Sequence, residues 1–393
     1  MASSVFTSGA FRGVPTDDAF AVAANKESPV VIDVREINWA TGLRPEVTAF
    51  DAYHAGQKIM DAVEADIDVM IVLYTDQETS ALLEIFTGNK AWSPARRAQW
   101  CGYGHNFAQF KSSIAGIGGD TGLREGLFGY FSAVRIGSKT VALFKSELHP
   151  KQNGPKLPFI PVMQQLITEL KPSLVITTGT AGAIGGSINC GDVVINSSAR
   201  FHIRGQYPNF PAIQAMSENK TEIANTVAIN TQYIEYAAAN LTKLSLPGLS
   251  QCYAKLQALG GYGFVKKNSI PNAIYLTGKN PVPGQQMATV SADYLTVDDT
   301  HNSEGLQPLG NMNETDDAFL FYAIDNITTA RPKFLSIRNA SEPQISAPPF
   351  PPGTQPGTII DKLKGIAGSI YGIYQYCTTL NSAFACWGVI AGL

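Results

Sequence analysis

From Asp68 onward, short continuous apolar runs alternate with amphipathic segments. Val69 to Tyr74, Lys139 to Phe144, Ser173 to Thr178, Asp192 to Ile195 and Phe334 to Ile337 read as strands buried on both faces. Between and after them, Thr79 to Phe86, Pro161 to Leu170 and Glu314 to Ile324 carry apolar residues at helical spacing, and Thr75 and Asp76 are placed to cap the first. Ile359 to Leu393 reads as a closing helix, with the possibility of a break. Repeated βα units predict an α/β fold: a central mixed, mostly parallel sheet flanked by helices. Upstream, Val30 to Val34 predicts a strand and Ala49 to Ala65 a helix, and residues 1–65 carry no interpretable motif and read as an N-terminal extension to a domain spanning 66–393.

Composition narrows the function classes. The chain is 393 residues long and 45% hydrophobic, enough apolar material for a large core. Its formal net charge of −3 gives no electrostatic case for nucleic acid or acidic lipid as partner. Five widely spaced cysteines without C-x-x-C argue against a disulfide scaffold or structural zinc. The segment Ile370 to Leu393 is interrupted by Gln375, Thr378, Thr379, Asn381 and Ser382, so a buried terminal helix is expected rather than a membrane span. The first residues show no basic region followed by an apolar run, which predicts a cytoplasmic protein.

The most specific string is Thr178-Gly179-Thr180-Ala181-Gly182, read as a loop directly after a strand. Such glycines let backbone N–H groups approach an anion or a sugar. A dinucleotide fingerprint is excluded by the spacing and by the downstream segment Gly191-Asp192-Val193-Val194-Ile195, a strand where that motif requires a helix. No Gly-Lys-[Ser/Thr] of a P-loop and no G-x-S-x-G elbow is present. Asp298-Asp299-Thr300-His301 has no matching ligand cluster elsewhere, so no metal is expected.

The two glycine strings together resemble the signature of the nucleoside phosphorylase/nucleosidase superfamily. The resemblance runs from about Asp68 to the C-terminus, interrupted by inserts near 88–125 and 205–272. It implies a small-molecule nucleoside substrate, no cofactor and a homo-oligomer. It also implies roles for residues. Arg338-Asn339-Ala340-Ser341-Glu342 is similar to a segment whose last acid protonates the leaving base, with Glu342 in place of the family's Asp and with Arg338 and Ser341 lining the site. Glu78, in Tyr74-Thr75-Asp76-Gln77-Glu78, falls on the family's water-activating acid; the loop lacks the Gly and Arg with which phosphorylases hold phosphate. Met312-Asn313-Glu314-Thr315-Asp316-Asp317 resembles a ribose-binding Met-Glu pair at a helix start, with Met312, Asn313 and Glu314 as the binding set. Thr315 and Asp316 are alternative matches for the Glu, and all these acids would also favour the helix N-terminus through its dipole. Ser146, the loop segment Thr180, Ala181 and Gly182, and Tyr294 as a base-stacking ring complete the expected site.

Overall fold

The computed structural model describes residues 37–48, 66–88, 100–114, 121–150, 158–185, 187–203, 210–241, 273–292, 306–343 and 356–393. The expected elements at 30–34 and 49–65, and Tyr294, lie outside these. Among the described residues, thirteen strands form one mixed sheet: β1 (Glu46–Thr48), β2 (Val69–Leu73), β3 (Cys101–Tyr103), β4 (Gly129–Ile136), β5 (Lys139–Ser146), β6 (Leu174–Ala183), β7 (Val193–Asn196), β8 (Ser198–His202), β9 (Glu222–Ala224), β10 (Ile274–Leu276), β11 (Thr289–Ala292), β12 (Met312–Glu314) and β13 (Lys333–Pro343). The helices that matter here are α1 (Asp76–Thr87), α2 (Phe159–Leu170), α3 (Pro211–Glu218), α4 (Gln232–Leu241), α5 (Asp317–Asp325) and α6 (Pro356–Ala391). Part of the N-terminal extension is built into the sheet, since β1 pairs with β4.

The centre is parallel: β5, β2, β6 and β13 run side by side in the same direction. Alternation along β2 shows why its run is apolar throughout. Val69, Ile71 and Leu73 join one core with Leu82, Phe86 of α1 and Phe384, Trp387 of α6. Met70 and Val72 point into the opposite core with Val162, Leu166 of α2 and Leu320, Phe321 of α5. Each such side chain, fully buried, contributes about 1.5–3 kcal/mol relative to exposure, which fixes the register of the central strands. The C-terminal stretch is a single unbroken helix whose last turns, Leu380 to Ile390, are buried. Among the described residues no helix is long and apolar enough to cross a membrane.

Three of the differences from the sequence reading bear on the site, and these lie at one end of the sheet. The glycine string is not a loop: β6 continues through Ala183, because β13 pairs along its whole length and β12 takes up its far end. Met312 to Glu314 is a strand and the helix starts at Asp317. Arg338 to Glu342 lies within β13 rather than past its end, with a bulge between Ala340 and Glu342.

Candidate active site

The site is built where β2 ends and β6 runs on. Thr75 has extended backbone and caps α1, accepting from the Glu78 N–H at 3.2 Å, while Glu78 Oε2 accepts from the Thr75 N–H at 2.9 Å. This reciprocal capping box holds Glu78 at a fixed place in the first turn. Its other oxygen, Oε1, accepts from the backbone N–H of Thr180 at 2.7 Å and from the Thr180 hydroxyl at 2.8 Å. Glu78 is therefore buried against the glycine strand, not an exposed first-turn acid. Gly179 sits at φ +136°, and a Cβ there would land on the Glu78 carboxylate. The glycine is required by the acid that packs on it.

Strand order divides the site. On one side β6 is bordered throughout by β13; on the other it is bordered first by β2 and then by β12. Glu342 stands on the β13 side, opposite Gly182, where it accepts from the Ser341 hydroxyl; that hydroxyl also lies 3.3 Å from the Ala181 carbonyl. Cys190 lies beside it, its thiol pushed up by burial and then by Glu342 and Asp192. Tyr371, on α6, reaches the same place. Burial, then Glu78 and Glu342, push its phenol up, against a hydrogen bond with Thr180. Sequence reasoning missed Tyr371 because nothing in the α6 pattern marks the turn that meets β6.

Beneath the strand ends lies a closed ionic network. Arg338 is 1% exposed, and it donates to both oxygens of Asp317, with Nε at 3.2 Å from Oδ2. Thr177 and Ser336 donate to the same carboxylate at 2.8 and 2.5 Å. Arg338 also donates to Thr177 Oγ1 at 3.0 Å and the Thr180 carbonyl at 3.3 Å. Burial alone would depress the guanidinium, but Asp317 and Glu314 hold it above its ordinary value. Arg338 thus positions the strand ends from below.

Glu314 and Asp316 have different fates. Glu314 accepts from Ser291 on one oxygen and from the N–H groups of Asp316 and Asp317 on the other, the latter at 2.8 Å. It caps α5 from the preceding strand and is used up by doing so. Asp316 occupies the N-cap position but makes no side-chain cap bond. Its Oδ2 accepts from the Thr315 hydroxyl at 2.8 Å and lies 3.5 Å from His149 Nε2. Its Oδ1 is buried with no hydrogen-bond partner among the described residues. Burial raises both carboxyls; beyond it, Asp317 raises Glu314 further, while His149 and Arg338 pull Asp316 down.

Of the remaining expected residues, Met312 packs into an apolar cluster with Ala183, Val194 and Val282 beneath the strand. Asn313 is buried and pairs opposite Gly182. Ser146 closes its own turn, donating to the Leu148 carbonyl at 2.8 Å and accepting from the Leu148 N–H at 3.1 Å. The structure therefore brings together Glu78, Thr180, Gly182, Ser341 and Glu342, and adds Asp316, Tyr74, His149 and Tyr371. Among the described residues, no group of three His, Cys, Asp or Glu side chains is arranged to hold a metal ion.

No family model matches the chain. Two curated relatives align over a segment: the 5′-methylthioadenosine/S-adenosylhomocysteine nucleosidase of Staphylococcus carnosus is 34% identical over 71 residues, 16% of this chain and 31% of the relative. That of Bacillus pumilus is 29% identical over 85 residues, 19% of this chain and 37% of the relative. The matched segment thus spans about a third of the relatives' length. Among solved structures, a 5′-methylthioadenosine/S-adenosylhomocysteine nucleosidase from Neisseria meningitidis in complex with methylthio-immucillin-A aligns with 83% of this chain and 100% of its own, at 17% identity and a TM-score of 0.41. An S-adenosylhomocysteine nucleosidase from Streptococcus pyogenes aligns with 84% of this chain and 98% of its own, at 13% identity and a TM-score of 0.44. The fold stands on the strand order described above. In sequence, over one segment, the chain is similar to nucleosidases of the nucleoside phosphorylase/nucleosidase superfamily.

Proposed function

We propose that the chain hydrolyses the N-glycosidic bond of a purine nucleoside. The observation that carries this reading is the charge of the site. Glu78, Glu314, Asp316 and Asp317 gather around one guanidinium, Arg338, which Asp317 already matches at hydrogen-bond distance. Lys145, the other buried cation nearby, is closed on Glu147 at 2.5 Å. Among the described residues, an incoming phosphate would meet carboxylates and no free cation, whereas an oxocarbenium-like transition state gains from them. Water is the nucleophile that fits.

In this reading the nucleoside lies across β6, base toward β13 and sugar toward β2 and β12. A water that takes the place of the Thr180 hydroxyl on Glu78 Oε1 gives its proton to that carboxylate as its oxygen attacks C1′. The C1′–N9 bond breaks, its electron pair leaves with the base, and Glu342 in its acid form gives the base a proton at N7. Free base and free ribose result. Asp316 replaces Glu314 as the acceptor for a sugar hydroxyl, because its Oδ1 is unengaged while Glu314 has spent both oxygens on Ser291 and the α5 N-terminus. The relatives' names make methylthioadenosine and S-adenosylhomocysteine substrates to try beside adenosine and inosine. The reading extends to an oligomeric, cytoplasmic enzyme on the strength of the family resemblance alone.

The test is product analysis by chromatography with and without phosphate. Free sugar formed without phosphate is expected, and Glu342→Gln is expected to lower turnover at least a hundredfold, in line with typical general-acid contributions of about 10²–10⁴. Turnover that requires phosphate would replace the hydrolase with a phosphorylase; tight nucleoside binding without product would leave a binding protein.

A further inference from the structure

Four buried polar atoms on the β2 and β12 side of the site have no hydrogen-bond partner among the described residues: Asn313 Oδ1 on β12, and Tyr74 Oη, His149 Nδ1 and Asp316 Oδ1 on three side chains that meet one another. Tyr74 and Asp316 are 5% and 3% exposed, so water does not simply solvate them. The three side chains are neighbours. The Tyr74 and His149 rings meet edge to face at 5.9 Å, His149 Nε2 lies 3.5 Å from Asp316 Oδ2, and the Arg338 guanidinium sits 5.7 Å over the Tyr74 ring. Asp316 is also the charge that acts most strongly on the Tyr74 phenol. They come from three separate elements, the ends of β2 and β5 and the N-terminus of α5, which converge here.

An unmade hydrogen bond on a buried donor or acceptor costs about 1–3 kcal/mol, so three on side chains in mutual contact are expected to be satisfied by something that binds beside them. The neighbouring acids are closed: Asp317 and Glu147 have each found partners. An acceptor (Asp316 Oδ1), a group that both gives and takes (Tyr74 Oη) and an imidazole nitrogen suit neutral hydroxyls, and beside three carboxylates they do not suit an anion.

We infer that Tyr74 and His149 are specificity-determining residues which, beside Asp316, read a hydroxyl of the substrate's sugar. This rests on the nucleosidase reading and adds to it: the chain would favour a fully hydroxylated ribose over a deoxy or thioether-substituted one. Sites built to hydrogen-bond a hydroxyl reject the analogue lacking it far more strongly than apolar pockets discriminate by size.

The experiment measures Kd by calorimetry for adenosine and its 2′-, 3′- and 5′-deoxy forms, using Glu342→Gln full-length protein so that little is consumed during the titration. Wild-type kcat/KM is then measured for the same four. One deoxy form is expected to bind at least tenfold more weakly than adenosine. Tyr74→Phe and His149→Gln are each expected to weaken adenosine binding several-fold while leaving that deoxy form unchanged, so that the ratio collapses. Equal Kd values for all four, or variants that weaken all four alike, would overturn this inference and leave the nucleosidase reading standing. No nucleoside binding at all would overturn both.

Discussion

Asp316 and Asp317 are adjacent, both buried and both at the start of α5, yet they do opposite things. Every oxygen of Asp317 is engaged, by Thr177, Ser336 and Arg338, so its charge is neutralised inside the sheet. Asp316 keeps Oδ1 unengaged. Burial of an acid therefore does not identify a functional group; the distribution of its partners does. Asp317 with Arg338 is a strut under the strand ends, and Asp316 is a group held ready above them.

The comparison breaks most sharply on stability. Asp317→Ala would leave the Arg338 guanidinium buried, with Glu314 3.6 Å away as its nearest remaining acid. Removing one partner of a buried pair typically costs about 3–5 kcal/mol, a large share of a domain's total stability. A urea titration should show that loss. A change below about 1 kcal/mol would mean that Arg338 relaxes toward solvent and that the network is no strut.

Asp316→Asn sharpens the other half. The amide keeps the shape and one acceptor but cannot hold a second hydroxyl as a carboxylate does, and it loses the charge that faces His149. Stability should move by less than about 1 kcal/mol, because the amide oxygen can still accept from Thr315 and the lost attraction to His149 is offset by relief of the cost of burying a carboxylate. The expected fall in kcat/KM on adenosine is about a hundredfold, the size of a lost charge-assisted contact at a reacting sugar. If Asp316→Asn destabilises as much as Asp317→Ala while turnover of the folded fraction is unchanged, the assignment of roles is reversed.

These two aspartates also mark how far the sequence could be read. Continuous apolar runs such as Val69 to Leu73 announced a strand buried on both faces, and the alternation of cores around it confirms why. The cap was partly legible: Thr75 and Asp76 were both placed to cap α1, and Thr75 does so, with Glu78 completing a capping box that the sequence reading did not name. Local patterns failed where distant strands decide the outcome. The glycine string reads as a loop until β13 and β12 are seen to pair along it. The stretch from Met312 reads as a helix start, but Glu314 belongs to a strand and caps the helix from there. The choice among Glu314, Thr315 and Asp316 could not be made from spacing, since it depends on which oxygens Ser291 and two backbone N–H groups consume. Tyr74, His149 and Tyr371 were silent for the same reason: their meeting is a property of the sheet.

The smallest expected effect lies in the pH dependence of stability. Glu314 is used entirely within the protein, yet burial raises its carboxyl well above the ordinary value, with Asp317 adding to the rise and Arg338 opposing it. Asp316 is raised as well, by burial first. For an acid whose folded pKa exceeds its unfolded value of about 4, the native state holds the extra proton between those two values. Stability then falls as pH rises through that window and levels off above the folded value. The contribution is fully present only below the unfolded pKa. Glu314→Gln removes one of the two groups and should flatten the fall. Asp316→Asn should flatten it less, because His149 and Arg338 already offset part of its rise. The check is a set of urea midpoints from about pH 3 to 8 for the three proteins, starting below the unfolded value. A steeper slope in Glu314→Gln than in the parent would show that Arg338, not burial, governs this carboxyl, and that Glu314 belongs with Asp317 in the strut.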